Sequence, residues 1–559
     1  MAQGNYEGIS IREAMERINA PNYGWFLPNI QRQYVWGSRD SSEEYICLLL
    51  DSLFRGYPIG GLVLWETDAR VPFREFLKDY KVGSVARIVA EERWGYHKYL
   101  VYDGQQRLQT LFSVLYNKFN GRTLYFNLLF NATAAETDET GFFFKNCNEI
   151  PPQSSISMIE LMGKSSTSDK IELRRRLIQN CHLTSVEQEL LETNLDTLWS
   201  VFVGTDIKSI AYFPVKSNDS KIVNEVFRRL NTGGVQLTQL ELVLAKIKEE
   251  SPYFEESLWE VSAEIKKATG SFPGYDFGAN DIVQLIYLLV FQTVRVDESR
   301  VNSSTIQSLV DTFEYVKDVL PLVFKYVFFE TLHINATWLV LRQQAILPIL
   351  AYFVTLRSKG STWEPAKRDI RPILKYFIKS QLCDWNTQTM VTAFARKAIE
   401  AASSNANFPI EVVTKIAVEK NRTGDVFLYQ FEGPVWLSLK LLTPGRLYLF
   451  NERTPQIDHV YPKALKSGTP EDEAFRKEVD VIWNMQPTPA GLNNYKRAKH
   501  PVDFFKSPEG QPFFNSYDFL PSLDSAEFAD ARSFISYRRK LMIQFMKDQY
   551  DIDIKENPE

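Results

Sequence analysis

The sequence predicts a multidomain α+β protein, and three observations lead to this fold class. The chain has 559 residues, which is several times a typical domain of roughly 150 residues. Hydrophobic residues make up 44% of it and charged residues 24%, the balance of a folded globular protein. The apolar pattern also changes twice, near residues 240 and 430. We therefore expect domains at 1–240, 241–430 and 431–515, followed by a C-terminal helical tail at 516–559.

The first domain has the pattern of a mixed α/β fold. Four short runs are rich in β-branched and aromatic residues and predict strands: Gly61–Trp65, Tyr99–Tyr102, Thr123–Asn127 and Ser209–Phe213. Between the strands, the stretch Ser42–Phe54 has apolar residues at a spacing of three to four, which predicts a helix. The stretch Gln153–Asp169 is rich in serine and predicts a loop.

The middle of the chain has the pattern of an all-helical domain. Apolar residues recur with helical period, and strand signals are nearly absent. The helices are predicted over Ile282–Phe291, Ile306–Tyr315, Trp338–Tyr352 and Ile370–Phe377. After residue 431 a short β-type run, Arg446–Phe450, is followed by a second run that ends at His459. These runs predict a small C-terminal domain of a different type.

Composition excludes several classes of site. The four cysteines form no CxxC pair, which argues against a disulfide framework and a thiolate zinc site. No two of the five histidines have the spacing HxxxH, so a histidine-only metal site is not predicted. The N-terminus lacks a signal-peptide pattern, and the most apolar stretch, Ile282–Val294, is too short to span a bilayer. We expect a cytoplasmic protein that has no membrane partner.

The net charge of −5 argues weakly against a nucleic-acid partner. It is an average over the chain, however, and a local basic region can be hidden in it. The segment Lys496–Lys506 contains four basic residues and one acidic residue, a local charge of +3. Contacts with a phosphate backbone are therefore expected there.

Three polar clusters interrupt the first domain: Pro28–Trp36, Asp103–Thr110 and Phe227–Thr238. In the second cluster, a predicted strand runs into Asp103 and Gly104, and a helix opens with Gln105 and Gln106. The N–H groups at a helix start favour anions, and glycine permits a close approach of the backbone. Arg107 can clamp a phosphate, while Asp103 can hold a metal or orient a water. A plain strand–turn–helix junction with a surface Arg–Asp pair fits these residues equally well.

The third cluster has similar chemistry. Asn231 and Thr232 supply an amide and a hydroxyl beside two glycines, although the glycines alone are also typical of a helix C-cap. Thr238 is predicted to cap the next helix, with Glu241 in the capping-box position. The chain contains neither a Walker motif nor GxGxxG, so the standard phosphate-loop folds are not indicated.

The C-terminal domain has the layout of a ββα-metal site. A strand would present Asp458 to a divalent ion and His459 to a water, and a helix would bring Asn493 to the ion as its second ligand. Oxygen ligands of this kind suit Mg²⁺ or Mn²⁺. His459 would be the general base, Asn484 would tie the loop together and orient the histidine ring, and Lys496 would contact the phosphate. An isolated Asp-His pair is usually a surface pair, and the spacing of the two asparagines and the lysine argues against that alternative.

Together the N-terminal clusters resemble the N-terminal domain of the GmrSD-type, modification-dependent restriction proteins, a domain similar in fold to the ParB/sulfiredoxin group. The match follows the family's order over about residues 10–250. It is carried by Gln31, Arg32, Tyr34, Trp36, Pro58–Gly60, Asp103–Arg107, Thr110 and Phe227–Gly233. The resemblance implies hydrolysis of a nucleoside triphosphate, GTP or ATP. The implied nucleotide site comprises Gln31, Arg32, Asp103, Gln105, Gln106 and Arg107, to which the chemistry above adds Gly104, Asn231 and Thr232.

Residues 435–505 resemble an HNH endonuclease of the His-Asn-Asn kind, the nuclease domain that accompanies the N-terminal domain above. The resemblance implies phosphodiester cleavage by His459, with Mg²⁺ or Mn²⁺ held by Asp458 and Asn493. The sequence therefore predicts an endonuclease of prokaryotic anti-phage defence that acts on modified phage DNA under the control of nucleotide turnover. A homo-oligomer or a complex with a partner defence protein is compatible with it. Two alternatives stay open: a nucleotide-sensing DNA-binding regulator with a vestigial nuclease site, and an HNH-type RNase or toxin.

Overall fold

The structure, a computed structural model, describes residues 5–34, 36, 42–133, 139–219, 238–270, 274–444, 456–463, 470–488 and 495–558. The chain divides into two compact units, Met1–Tyr253 and Phe254–Glu559. It contains both helices and a mixed sheet, which confirms the prediction of a mixed α and β protein. Within the described ranges, no helix is both long enough and apolar enough to cross a membrane.

A six-stranded mixed sheet forms the centre of the first unit, in the order β1-β9-β3-β5-β2-β4. A separate antiparallel sheet has the order β7-β6-β8. The strands are β1 (Glu7–Ile9), β2 (Trp25–Pro28), β3 (Leu62–Thr67), β4 (Phe73–Arg74), β5 (Lys98–Asp103), β6 (Thr123–Asn127), β7 (Phe142–Lys145), β8 (Ser155–Ser157) and β9 (Ile210–Lys216). All four predicted strands are confirmed, as β3, β5, β6 and β9.

The sheet brings the ends of two polar segments together. Strands β2 and β5 are parallel neighbours, with Trp25 opposite Tyr99 and Phe26 opposite Leu100. Because parallel strands end at the same edge of a sheet, the residues that follow β2 and β5 lie beside each other. The first and second polar clusters are those residues.

Seven helices surround the strands in the described part of this unit: α1 (Ile11–Arg17), α2 (Ser42–Phe54), α3 (Gln105–Tyr116), α4 (Met158–Met162), α5 (Thr167–Asn180), α6 (Ser185–Leu198) and α7 (Gln239–Glu250). The predicted helix at 42–54 is confirmed as α2.

Alternate residues of β5 face different cores, because side chains alternate along a strand. Val101 packs in the core that contains Leu50 and Leu111, and Leu100 and Tyr102 pack in the other.

The serine-rich stretch 153–169 is not a loop, and that prediction was wrong. It contains β8, α4 and the start of α5. Ser157 caps α4 by accepting a hydrogen bond from the backbone N of Glu160 at 3.1 Å. Ser166 caps α5 by accepting one from the backbone N of Asp169 at 3.1 Å. Serine is favoured at helix starts for this reason, so these serines mark helix boundaries.

Helices make up most of the second unit: α8 (Phe254–Ala268), α9 (Ala279–Phe291), α10 (Ser303–Val323), α11 (Leu347–Ser358), α12 (Arg371–Leu382), α13 (Gln388–Ser403), α14 (Ile410–Glu419), α15 (Leu428–Glu432) and α16 (Val435–Leu442). The predicted helix at 338–352 was wrong in its start, because 3-10 turns precede α11. Pro348 lies in the first turn of α11, where a residue without an N–H is tolerated.

The C-terminal part of this unit contains α17 (Pro470–Val479), α18 (Pro501–Lys506), α19 (Ala531–Tyr550) and two strand pairs. Strand β10 (Val426–Phe427) pairs in parallel with β13 (Ile554–Lys555), and β11 (Gln456–His459) pairs in antiparallel with β12 (Met485–Thr488). One core joins Val460 and Tyr461, which follow β11, to Phe504 of α18 and Phe534 of α19. The predicted C-terminal tail therefore packs in the same core as the segment that carries Asp458 and His459.

Candidate functional site

In the first unit, Gly104 alone connects β5 to α3. Strand β5 ends at Asp103 and helix α3 begins at Gln105, so the predicted strand–turn–helix junction is confirmed. Gly104 has a φ of +88°, in the left-handed region that favours glycine. Oδ1 of Asp103 accepts a hydrogen bond from the Gly104 N–H at 2.8 Å. Since the N-cap residue has no side chain, it offers no oxygen to the first turn of α3, an arrangement that leaves a helix start open to an anion.

We expect Gly104→Ala to destabilise the first unit by about 2–4 kcal/mol, because left-handed strain adds to overpacking. A Cβ on Gly104 would lie 2.1 Å from Cδ2 of Leu62. Gly83→Ala is the matched control, since Gly83 has a φ of +87° and its Cβ would meet no described atom within 4 Å. Urea denaturation of both variants measures the difference. Equal losses of unfolding free energy would show that the contact with Leu62 contributes nothing.

The structure brings the first two polar clusters into contact. The Gln105 side chain donates from Nε2 to the carbonyl oxygen of Arg32 at 3.5 Å. The next residue, Gln106, donates from Nε2 to the carbonyl oxygen of Gln33 at 3.2 Å. The two amides at the start of α3 therefore hold the backbone of the segment that follows β2.

Gln31 is buried between these elements, with an exposed fraction of 2%. Its Nε2 donates to the carbonyl oxygen of Tyr102 at 2.5 Å. Its own carbonyl oxygen accepts from Nη2 of Arg74 at 2.6 Å and from Nζ of Lys248 at 3.0 Å. Its Oε1 is buried and has no hydrogen-bond partner among the described residues. A buried acceptor without a donor is costly, so Gln31 presents an oxygen that a ligand N–H or O–H would satisfy.

Arg107 binds the protein's own backbone. Its Nη1 donates to the carbonyl oxygen of Ile59, and its Nη2 donates to that of Gly61 at 3.0 Å. Nη2 also lies 3.6 Å from Oδ2 of Asp103. Burial lowers the pKa of the Arg107 guanidinium. We expected a phosphate clamp, and in the structure the guanidinium holds the turn before β3 against the start of α3.

Helix α7 reaches the first cluster from the other side. Thr238 caps α7 by accepting from the Glu241 N–H at 3.2 Å, and its own N–H donates to Oε2 of Glu241 at 2.7 Å. The predicted capping box is therefore confirmed. Oε1 of Glu241 also lies 3.6 Å from Nη1 of Arg32. Asn231 and Thr232 of the third cluster lie outside the described residues.

In the second unit, Asp458 lies in a buried ionic cluster on β11. Its side chain is opposite Gln486 of β12 in the register of the strand pair. Oδ2 of Asp458 accepts from Nζ of Lys496 at 2.6 Å and from the hydroxyl of Tyr517 at 2.7 Å. Asp458 is 6% exposed and Lys496 is 1% exposed. This cluster fixes one carboxylate oxygen of Asp458 with two donors.

Lys496 does not have the position expected for a phosphate contact. In addition to Asp458, its ammonium group donates to the carbonyl oxygen of His459 at 2.6 Å. Burial lowers its pKa, an effect that the nearby Asp458 carboxylate opposes. Lys496 therefore neutralises Asp458 and holds the end of β11 in place.

His459, the last residue of β11, is partly accessible. Its side chain is 20% exposed, and its Nε2 lies 3.0 Å from Oδ1 of Asp480. Burial lowers the pKa of His459, and the hydrogen bond to Asp480 opposes that shift. Oδ2 of Asp480 lies 2.6 Å from Nζ of Lys463. A neutral imidazole near pH 7 is the form that a general base requires.

Asn484 is fully buried, and among the described residues its side-chain amide binds only backbone groups. Its Oδ1 accepts from the Tyr461 N–H at 2.9 Å, and its Nδ2 donates to the carbonyl oxygens of Tyr461 at 3.0 Å and Val479 at 2.8 Å. Asn484 thus ties the segment after β11 to the end of α17. Asn484 does not orient the His459 ring as expected, because the ring is hydrogen-bonded to the carboxylate of Asp480, which follows Val479.

The described residues supply only part of a divalent metal site. Asp458 offers a carboxylate oxygen of the hard kind that Mg²⁺ and Mn²⁺ prefer. Asn493 lies outside the described residues. In the described ranges, no group of three or more His, Cys, Asp and Glu side chains has the arrangement of a metal site. The donor chemistry of Asp458 fits the metal, but Oδ2 is already taken by two protein donors, so Oδ1 is the oxygen left for an ion.

Sequence reasoning missed three residues of this site. Asp480 directly follows α17, and Tyr517 lies in a segment rich in Phe, Pro and Ser. Arg538 lies in a run of three basic residues, 538–540, a pattern typical of an exposed helix face, but it is 0% exposed. No local pattern marks these residues, because each contacts a partner that is distant in sequence.

Comparison with known proteins connects the N-terminal clusters to one family. A comparison with curated proteins found no match. Residues 13–248 match the family model described as the N-terminal domain of GmrSD restriction endonuclease. The matched range includes the first two clusters, the position of the third and most of α7, and it ends before the second unit. Residues 13–248 are therefore similar to the N-terminal domain of this restriction endonuclease family.

Proposed function

We propose that the protein is a nucleotide-regulated, metal-dependent DNA endonuclease of prokaryotic anti-phage defence, located in the cytoplasm, whose substrate is modified phage DNA. The observation that carries this proposal is the match of residues 13–248 to the N-terminal domain of a restriction endonuclease. The position of Asp458 and His459 at the end of a strand in the second unit supports the cleavage step.

The proposed nucleotide site lies where the segment after β2 meets the start of α3. It binds GTP or ATP through Gln31, Arg32, Asp103, Gly104, Gln105, Gln106, Asn231 and Thr232, and Arg107 supports the site by holding the turn before β3 against the start of α3. The uncapped helix start favours a phosphate, and the buried Oε1 of Gln31 favours a ligand donor. Hydrolysis of the triphosphate in this site would control cleavage by the second unit.

We expect Arg107→Lys to lower NTP hydrolysis by about 10²-fold or more, because Lys cannot replace a two-pronged donor at a bidentate site. Arg122→Lys is the matched control, since Nη2 of Arg122 also donates to a backbone carbonyl, that of Phe144, at 2.9 Å. Phosphate release by the two purified variants measures the effect, with thermal unfolding as a check on folding. If both variants hydrolyse NTP at the wild-type rate, Arg107 does not contribute to the nucleotide site.

The proposed cleavage step is hydrolysis of a phosphodiester. His459 takes a proton from a water as the water oxygen bonds to phosphorus, and the bond from phosphorus to the leaving sugar oxygen breaks. The leaving oxygen then takes a proton from solvent. Asp458 and Asn493 would hold Mg²⁺ or Mn²⁺, which when bound neutralises charge at the scissile phosphate. Lys496 supports this site from within, through Asp458 and the end of β11.

One observation favours a second candidate, a nucleotide-sensing DNA-binding regulator with a vestigial nuclease site. The ammonium group of Lys496 lies 2.6 Å from Oδ2 of Asp458, so a protein cation already neutralises the carboxylate that would hold the metal. In this alternative the pair would be structural, and the protein would bind DNA without cutting it.

The experiment that tests the proposal uses the purified full chain on modified and unmodified phage DNA, with Mg²⁺ and with or without GTP or ATP. We expect cleavage of the modified DNA, sensitivity of the rate to nucleotide, and loss of cleavage in EDTA. DNA binding without cleavage in every condition would favour the regulator. Cleavage of RNA but not of either DNA would favour an HNH-type RNase or toxin.

A further inference from the structure

We propose that Asp480 is a positioning residue that sets the tautomer and orientation of His459 for phosphodiester cleavage. This inference rests on the proposed nuclease function. Its basis is the hydrogen bond of 3.0 Å between Oδ1 of Asp480 and Nε2 of His459. Asp480 acts through His459 and does not itself contact DNA in this proposal.

The chemistry of the two groups decides which nitrogen is the base. An ionised carboxylate can only accept hydrogen bonds, so the bond to Asp480 requires the proton of the neutral ring to be on Nε2. The lone pair then lies on Nδ1, which becomes the nitrogen that can take a proton from water. The same logic applies wherever a buried carboxylate fixes the tautomer of a catalytic histidine.

The Asp480 carboxylate is held at both oxygens. Oδ1 faces His459, and Oδ2 lies 2.6 Å from Nζ of Lys463. The preceding residue, Val479, is fixed through its carbonyl oxygen, which accepts from Nδ2 of Asn484 at 2.8 Å. Asn484 also binds Tyr461, two residues after His459. One buried amide therefore sets the distance between the segment that carries the histidine and the segment that carries its carboxylate.

The exposure of Asp480 and His459 indicates that their hydrogen bond contributes to the rate of cleavage and not to folding stability. Asp480 is 45% exposed at its side chain and His459 is 20% exposed. Even ion pairs at such exposure contribute little to folding, typically about 0–1 kcal/mol, and the hydrogen bond of a neutral ring is not expected to contribute more. Groups that fix the tautomer and orientation of a functional histidine are typically worth about 10–100-fold in activity. We therefore expect Asp480→Asn to lower cleavage by that factor with little change in stability.

The first test reads the tautomer directly and does not depend on cleavage. The full chain is labelled with ¹⁵N-histidine, and the signals of His459 are assigned by their absence from His459→Gln. We expect one neutral tautomer, protonated at Nε2, in the wild type, and a mixture of both in Asp480→Asn. A wild-type ring protonated at Nδ1, or an unchanged ratio in the variant, would overturn the proposal.

The second test measures cleavage of modified phage DNA in Mg²⁺. Asp425→Asn is the matched control, because Asp425 is a similarly exposed carboxylate that pairs with Lys555 at 2.7 Å and not with a histidine. We expect Asp480→Asn to lower kcat about 10–100-fold at unchanged KM, and Asp425→Asn to cleave at the wild-type rate. Loss of equal size in both variants would indicate a general effect of surface charge and overturn the proposal.

A third measurement shows whether Asp480 acts through His459. The measurement uses the residual cleavage of His459→Ala. We expect Asp480→Asn to cause no further loss in that background, because Asp480 has no ring left to orient. An equal loss in the His459→Ala and wild-type backgrounds would assign Asp480 a role independent of His459. If the wild type cleaves no nucleic acid in any condition, the nuclease function fails with this role, and the tautomer measurement still reports whether the pair forms.

Discussion

Replacement of His459 by alanine is expected to lower DNA cleavage by about 10²–10⁴-fold, the usual contribution of a general base. The ring is the one imidazole next to the proposed metal ligand Asp458 on β11, and it remains 20% exposed, so a water and a phosphate can reach it. His459 is the last residue of β11 and is partly exposed, so loss of its side chain should leave the fold intact. NTP hydrolysis, which we assign to the other unit, should be unchanged. Cleavage and phosphate release are measured on the same preparation.

His182→Ala is the control for this prediction. His182 is an exposed histidine of the first unit, and we assign it no role. It should cleave DNA and hydrolyse nucleotide as the wild type does. Wild-type cleavage by His459→Ala would contradict the proposed mechanism and favour the regulator with a vestigial site. A parallel loss of cleavage and hydrolysis would point instead to a defect in folding or in communication between the two activities.

Local sequence patterns predicted the parts of the fold that depend on neighbouring residues. The runs that became β3, β5, β6 and β9 were recognised because β-branched and aromatic residues suit a half-buried strand. The turn at Gly104 and the capping box of Thr238 and Glu241 were recognised because each is complete within five residues. In the same way, Asp458 and His459 were chosen from adjacent letters, and the structure places both at the end of β11.

The sequence could not predict contacts between residues that are far apart in the chain. The pairing of Lys496 with Asp458 spans 38 positions, and that of Asp480 with His459 spans 21. Lys496 was predicted to contact the phosphate because it lies one helical turn from Asn493, and its burial depends on Tyr517 and the end of β11. The serines of 153–169 were misread for a related reason. A serine suits both a loop and a helix start, and the following residues decide between them.

The basic segment at 538–540 shows most clearly that tertiary contacts, and not the local sequence pattern, decide whether a residue is buried. Loss of its first residue, Arg538, has the largest expected effect on stability. Nη1 of Arg538 donates to the carbonyl oxygens of Trp483 at 3.0 Å and Met485 at 3.3 Å. Nη2 donates to Oε1 of Gln486 at 3.0 Å and to the carbonyl oxygen of Asp518 at 3.2 Å. Burial lowers the pKa of Arg538 to about 10, so the guanidinium still remains charged at neutral pH. One side chain of α19 thus holds the start of β12.

Arg538→Ala is expected to lower the unfolding free energy of the second unit by about 3–5 kcal/mol, since it leaves buried acceptors without donors and removes packed atoms. Because β12 pairs with β11, which carries Asp458 and His459, cleavage should be lost with stability, while NTP hydrolysis should remain. Arg539→Ala is the matched control. Arg539 lies on the same helix but is 34% exposed and pairs with Glu556, so this variant should lose no more than about 1 kcal/mol of unfolding free energy. Thermal and urea unfolding of the two variants measure the difference. Equal losses would mean that the helix itself, and not the buried guanidinium, stabilises this part of the protein.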